Sequence, residues 1–597
     1  MYVTKRFELQ RRKILEEVFT EKKLIDTWRK VVKKQMRSLD VLDLHDYYDF
    51  NYNIENIAKY INYEITQGIY QVSKPLIYKL EKKYGICRHL MIPSPKDALV
   101  FQVLIDYIRE QGLIEPTKQA FFSRDRSEPK LPHHVITNDY DWRSKWKKFQ
   151  KEIFKFSDTF QYLIVTDVVN YFDNIGLKEL RHIVSSYVKV DEVILDLLFK
   201  MIEDMSWKPD YLPYSYKGLP TINLEAIRLL AHIMLFEIDE FLKEEVSSNF
   251  VRWMDDINIG CGSKYESKNI LGNINDILKS RGLALNLSKT HIYTQDEVKY
   301  HFLVSENLFL DNLEKKIKNN NFTNEDKREF NKLFKKHLKD QGSQNWDKVT
   351  KRFFTIAGKV NAENFIKYGE NFFIERPILR QHILYFLDNF KFTKKLSDVL
   401  INIYNKVDFF DDMTFFSLTK FVVNYHIPFN KKGTEFIRSL KKVYNKFQKD
   451  RFGYYCNLWF YGKYGEDNEV LTLIEDNKNL WINDPFLSRQ VIAILPRVYY
   501  FKQSKIENLL DEQISSGFLD NVILAKNVKK LLNMKILDKK INPYLFYQKA
   551  PKKYPFSKFL IFLAILNKNN NRDKLIEKIK DQINDEWYLS YLMRKFK

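Results

Sequence analysis

Along residues 1–65 apolar side chains recur at helical spacing within a densely charged background. From 66 to 312 the pattern changes to short apolar, β-rich runs between helical stretches, the signature of a mixed α/β unit. Residues 313–350 are rich in Lys, Asn, Asp and Glu and include Lys318-Asn319-Asn320-Asn321. They predict a solvated helical connector, so 313–375 is read as a connector or thumb-like region. Beyond it, 376–597 reads as helix throughout. Leu396, Val399, Leu400, Ile403 and Val407 share one face, as do Phe436, Leu440, Val443 and Phe447 behind an expected N-cap at Thr434. A capping box at Ser504 and Glu507 is expected to open a helix through Leu509, Leu510 and Ile514 that stops at Gly517, and Phe518–Leu532 continues the pattern. Amphipathic helices in succession predict an array of stacked pairs, HEAT-like, or an irregular bundle.

Two segments carry acids where this pattern is β-like. Gln161-Tyr162-Leu163-Ile164-Val165-Thr166 is a short apolar run that ends on Asp167. Phe250 to Gly260 places Asp255 and Asp256 between apolar flanks, the layout of a β-hairpin with both acids at its tip. Adjacent carboxylates repel on a half-buried turn unless a positive charge sits there. Two magnesium ions about 3.5–4 Å apart would supply that charge and would clamp the oxygens of an in-line displacement at phosphorus.

Composition narrows the classes. The 597 residues exceed one core, and 17 Gly and 16 Pro favour helices over a turn-rich all-β chain. The net charge of +21 suits a polyanionic partner. Cys87, Cys261 and Cys456 are scattered, which excludes a zinc module or disulfide framework and points to a reducing compartment. The stretch Met1 to Arg12 lacks the apolar centre of a signal peptide, and no apolar run reaches the roughly 18 residues of a membrane span. A soluble, cytoplasmic protein with no membrane partner is expected.

Taken in order, the segments resemble a reverse transcriptase from about residue 70 to 312. Lys82-Lys83-Tyr84-Gly85-Ile86-Cys87-Arg88 through Gln102 resembles the opening fingers motif, and Phe121 to Ser127 the next fingers segment without its usual glycine. Thr166 to Ile175 matches the first catalytic palm motif. Gly218-Leu219-Pro220 with a long helix from Leu224 to Phe241 resembles the segment that braces template and incoming base. Arg252-Trp253-Met254-Asp255-Asp256 fits the double-aspartate motif, with Trp253 where tyrosine is usual. Leu278 to Thr290 matches the following palm motif, and His301-Phe302-Leu303-Val304 is similar to the primer-grip hairpin.

The resemblance implies an α+β fingers-palm right-hand polymerase core over 66–312, preceded by a helical segment (1–65) and followed by the all-α region. It implies Asp167, Asp255 and the Val168 carbonyl as metal ligands, Asp256 as a weaker one, and two Mg2+ ions, with Mn2+ as the alternative. Phe172 stands where the family keeps the ring that excludes a 2′-hydroxyl. Arg88 and Arg126 (or Arg124) would hold the triphosphate, Lys289 the leaving pyrophosphate, and Gly218 and Pro220 would line the nucleotide site. After Pro220 the family's Gln-Gly pair is replaced by Thr221-Ile222, and a branched side chain there would crowd a nascent base pair.

A palm followed by a helical array is similar to the abortive-infection and related defence reverse transcriptases of bacteria. That implies dNTP substrates, a DNA product, and synthesis that is either template-free, with a tyrosine primer among the options, or templated by a non-coding RNA. A homo-oligomer or a partner subunit stays open. A catalytically silent scaffold is the alternative of another class, and Arg376 with His382 has the Arg-x5-His spacing of some nucleases.

Overall fold

The computed structural model describes residues 5–123, 142–208 and 216–596. Its β structure is confined to the stretch where the sequence alternates. Strands β1 (Leu76–Lys83) and β2 (Ile86–Ile92) form an antiparallel hairpin, the fingers. A second sheet has the order β3-β5-β6-β4-β7, built from β3 (Ala120–Phe121), β4 (Tyr162–Thr166), β5 (Phe250–Trp253), β6 (Asp256–Cys261) and β7 (His291–Thr294).

The period of two decides which core each side chain joins. Ile164, Phe250, Ile257 and Ile259 enter the main core, whereas Leu163, Val251 and Phe121 enter a smaller one under helix Trp142–Thr159. Both faces of the palm sheet are therefore covered, which fixes its register.

Several local expectations are corrected. The helix expected from Leu224 to Phe241 is two, Glu225–Ile233 and Phe236–Val246, broken at the buried Met234-Leu235. On the second helix, Asp239 accepts from Arg252 of β5. No hairpin forms at His301–Val304; a capping box at Thr294 and Glu297 starts helix Gln295–His301, and Leu303 turns left-handed (φ 48°) into helix Val304–Lys318. Thr434 and Ser504 lie inside their helices, whose N-caps are Asn430 and Lys502; the Asn430 carboxamide accepts from the Gly433 N–H. Gly517 does terminate helix Gln503–Ser516.

The C-terminal region is an array in which helices pack on their next-but-one neighbours. Ile366–Glu375, Lys394–Lys406 and Lys431–Tyr444 make one layer. Asp412–Asn424, Arg451–Tyr464, Pro485–Ile494, Leu519–Leu532 and Phe556–Leu566 make the other. The array curls back onto the beginning of the chain. Arg489 pairs with Asp43 and Asp49, Arg380 reaches Glu81 of β1 at 2.8 Å, and Tyr544 donates to Asp46 at 2.8 Å. One hydrophobic core runs from the N-terminal helices through the palm into the array. Among the described residues, no helix is long and apolar enough to cross a membrane.

Candidate active site

Strand β4 is β-branched and buried on both sides, and its last residue hands the chain to Asp167, itself 5% exposed. Two backbone hydrogen bonds then set the loop: Asn286 N–H donates to the Asp167 carbonyl (2.7 Å), and Val169 N–H to that of Ala284 (2.9 Å). Val168 is buried between them, bridged to Leu285. The Thr166 and Thr290 hydroxyls meet at 2.7 Å. These ties bring Lys289 over Asp167, where its ammonium forms an ion pair with the carboxylate.

The other two acids come from the β5–β6 hairpin. Trp253 pairs with Asp256, leaving Met254 and Asp255 as the turn. Met254 has φ +54°, a left-handed value that usually falls to glycine at this position, and it costs about 1–2 kcal/mol. The strain is held from below. Arg252, completely buried, donates from Nη1 to the Met254 carbonyl (2.8 Å) and from Nε to Asp239 (2.7 Å), and its Nη2 forms an ion pair with the same carboxylate. Met254 N–H donates to the Phe121 carbonyl at 2.9 Å, and Trp253 packs against Phe121, Trp146 and Phe149 in the smaller core.

The result is a cluster of like charge, Asp167 buried and Asp255 and Asp256 half-buried. Burial, then the nearby Asp167 and Asp256, push Asp255 up to about 8, and it shares a hydrogen bond with Asp167. Burial and Asp167 also raise Asp256, against the opposing charges of Lys348 and Lys289. Lys289 is raised: burial lowers it, but its bond to Asp167 and the charges of all three aspartates prevail. Among the described residues no group of three or more Asp, Glu, His or Cys side chains stands ready-arranged around a cation. The donors nevertheless fit one. They are all oxygen, they repel one another, and the Lys289 ammonium already occupies the Asp167 carboxylate.

The remaining expected residues fall around this cluster. The Phe172 ring is half-buried, edge-on to Tyr171, and its carbonyl accepts from Leu219 N–H at 2.8 Å. Gly218 donates to the Ile175 carbonyl (2.8 Å) with φ +100°, a value that excludes other residues without strain. The Gly218-Leu219-Pro220 segment is thereby bolted to the loop that follows Asp167. Ile222 does not project into open space: it is 3% exposed, bridged to Met91 of β2, and its bulk is absorbed by the core. Arg88 is exposed on β2, while Arg124 and Arg126 lie outside the described residues.

Two lysines join that the sequence did not single out. Lys82, beside the β1 irregularity at Glu81/Lys83, has its pKa lowered by burial and by Arg88 and Lys289, while Asp173 and Asp255 oppose the shift. From the connector helix Trp346–Lys359, the charge of Lys348 opposes the rise of Asp256. Lys82 was visible in the fingers motif; nothing in sequence connects Lys348 to Asp256. Arg376 pairs with Asp347 (3.3 Å), bonds Gln341 (2.5 Å) and stacks on Trp346. His382 is pushed down to about 4 by burial and by the charges of Lys351 and Arg143.

Residues 128–301 match the family described as reverse transcriptase (RNA-dependent DNA polymerase), a span that holds Asp167, Asp255, Asp256 and Lys289. The chain carries a reverse-transcriptase domain. Its fold is the fingers-palm fold, extended by the helical C-terminal region. Solved structures that resemble the chain include telomerase from Candida tropicalis in complex with a TWJ fragment of telomeric RNA, at 13% identity and TM-score 0.28, covering 62% of this chain and 64% of that one. Apo telomerase from Candida tropicalis aligns at 13% identity and TM-score 0.27, over 66% of this chain and 69% of that one. Telomerase from Candida albicans with a TWJ fragment aligns at 11% identity and TM-score 0.29, over 65% and 66%. The chain thus spans under two-thirds of the first of these. No curated protein sequence matches it.

Proposed function

We propose that the reverse-transcriptase domain is an active DNA polymerase joining deoxynucleotides in bacterial antiphage defence. The observation that carries the chemistry is the Asp167–Asp255–Asp256 cluster, whose mutual repulsion leaves an unmet demand for positive charge. Asp167 and Asp255 would hold a pair of divalent cations with the Val168 carbonyl, and Asp256 would assist. When bound, such ions acidify the attacking 3′-hydroxyl and neutralise charge on the phosphates. Lys289 is displaced from Asp167 and meets the departing pyrophosphate. Arg88 and Lys82 approach the triphosphate from the fingers, and Phe172 shields the sugar's 2′ position. The defence role rests on the resemblance of a palm followed by a helical array to abortive-infection enzymes.

The burial of Ile222 favours templated copying, because it removes the crowding expected above an incoming base pair. The second reading is template-free synthesis, favoured by the loss of both the amide and the glycine at Thr221-Ile222. Labelled dNTPs offered to the purified full chain, with and without RNase pretreatment, test both readings. Incorporation abolished by Asp255→Asn is expected; incorporation that survives it sinks the site. A defined product lost after RNase supports the templated form, and an RNase-resistant product of irregular sequence the other. No incorporation under any condition supports a scaffold.

A further inference from the structure

The turn that carries Asp255 is strained at Met254, and Arg252 holds it by donating to the Met254 carbonyl at 2.8 Å. Two groups decide where Arg252 points. Asp239 accepts from Nε at 2.7 Å and pairs with Nη2, which fixes one edge of the guanidinium. A plane gripped along one edge still tilts about it. The second group is the imidazole of His232, whose Nδ1 lies 3.3 Å from Nη2. A guanidinium only donates, so Nδ1 accepts and the ring proton sits on Nε2. Burial, then the Arg252 charge, lower the pKa of His232 and keep the ring neutral, as an acceptor must be.

His232 lies near the end of helix Glu225–Ile233 and is wholly buried. The rings of Phe122 and Phe236 flank it, with centroids 4.8 and 5.4 Å away. Phenylalanine would suit such surroundings. An imidazole instead leaves Nε2 buried without a hydrogen bond, 3.9 Å from the Glu115 carboxylate, which costs stability. One nitrogen orphaned and the other engaged marks a ring kept for Nδ1. The segment 115–122 touches the turn as well as His232: the Gln119 and Phe121 carbonyls accept from the Arg252 and Met254 N–H groups, both at 2.9 Å.

We infer that His232 is a positioning residue for Asp255: by accepting from Arg252 it stops the guanidinium from tilting, keeps its bond to the Met254 carbonyl, and so holds the strained turn in the geometry that brings Asp255 to Asp167. It acts on the acids through Arg252 alone.

This rests on the reading of the three aspartates as the catalytic acids, and one of its two readouts needs no catalysis. The test compares His232→Asn, whose amide oxygen stands in for Nδ1, with His232→Phe, which fills the space without an acceptor. In His232→Phe of the full chain, kcat for labelled dNTP should fall about 10- to 100-fold while KM stays within about twofold. His232→Asn should recover most of that loss. Hydrogen exchange over residues 250–256, followed by mass spectrometry, should quicken about 5- to 10-fold in His232→Phe and stay near the intact chain in His232→Asn. Unchanged exchange in His232→Phe overturns the inference, whatever the activity. So does equal damage in the two variants, which would make His232 a packing residue alone. No incorporation by the intact chain refutes the reading of the acids, and the exchange rates still decide what His232 does to the turn.

Discussion

Two clusters of aspartates sit in this molecule, and they are built in opposite ways. Where the N-terminal segment meets the array, Asp43 and Asp49 surround Arg489 with hydrogen bonds of 2.6 to 3.1 Å, and both carboxylates are almost wholly buried. Burial alone would raise Asp43, but the guanidinium more than offsets it and holds that carboxyl below its usual range. In the palm, Asp255 is pushed up to about 8 by burial and by its acidic neighbours; Lys289 pairs with Asp167, and Lys348 acts on Asp256 only through its charge. Withdrawal from water therefore means different things in the two places. A carboxylate whose cation is supplied by the fold serves the fold, whereas one left without serves a ligand that brings its own charge.

The sharpest break of this comparison is Asp255→Asn. Incorporation of labelled dNTP should fall at least about a thousandfold, the several kcal/mol that charge neutralisation at phosphorus supplies. In metal-free buffer the thermal midpoint should hold or rise, since a repelling charge is gone. The mirror experiment is Arg489→Met, which strands two buried acids. It should cost about 3–5 kcal/mol in urea unfolding, and adding Asp43→Asn with Asp49→Asn should recover part. A loss of stability in the first variant, or none in the second, would erase the distinction.

The palm was legible because its signals are local. Thr166-Asp167 ends a β-branched run, and Asp255 sits in a turn whose flanks alternate, so period and turn chemistry put these two acids at a strand end and a turn, while joining them into one site rested on the resemblance. The array was legible from helical spacing, though Thr434 and Ser504 misplaced helix starts because the helices begin upstream of them, behind Asn430 and Lys502. Contacts set by packing were not legible. Asp239, beyond the interruption at Met234-Leu235, meets Arg252 of β5, and the charge of Lys348 acts on Asp256 across the fold from the connector. The crowding expected of Ile222 failed for the same reason: its direction depends on β2, a distant strand.

A half-buried base without an acid partner extends the comparison to the opposite charge. His382 is held to about 4 by burial, with Lys351 and Arg143 adding to the shift, and its Nδ1 is buried without a hydrogen-bond partner. A folded-state pKa below the unfolded value of 6.5 leaves stability intact above that pH. Stability is then lost as pH falls toward the folded value, because the unfolded chain takes the proton first. Unfolding free energy should decline between pH 6.5 and 4, on the order of 2–3 kcal/mol from this imidazole. His382→Gln should flatten that part of the profile; an unchanged slope would place the acid sensitivity elsewhere.

The smallest effect bears most directly on the contrast. If the palm acids await a cation as Asp43 and Asp49 have Arg489, then Mg2+ should do for the palm from solution what Arg489 does for the other cluster from within the chain. At a concentration about 100-fold above its Kd, a cation bound only to the folded state adds about 2.7 kcal/mol. In a chain of this length that is a rise of only about one to two degrees in the thermal midpoint. Asp255→Asn should lose most of this rise, and Arg489→Met should keep it in full, shifted to a lower starting temperature. If Mg2+ raised both variants equally, it would be binding elsewhere, and the palm acids would need another explanation for their exposure to one another's charge.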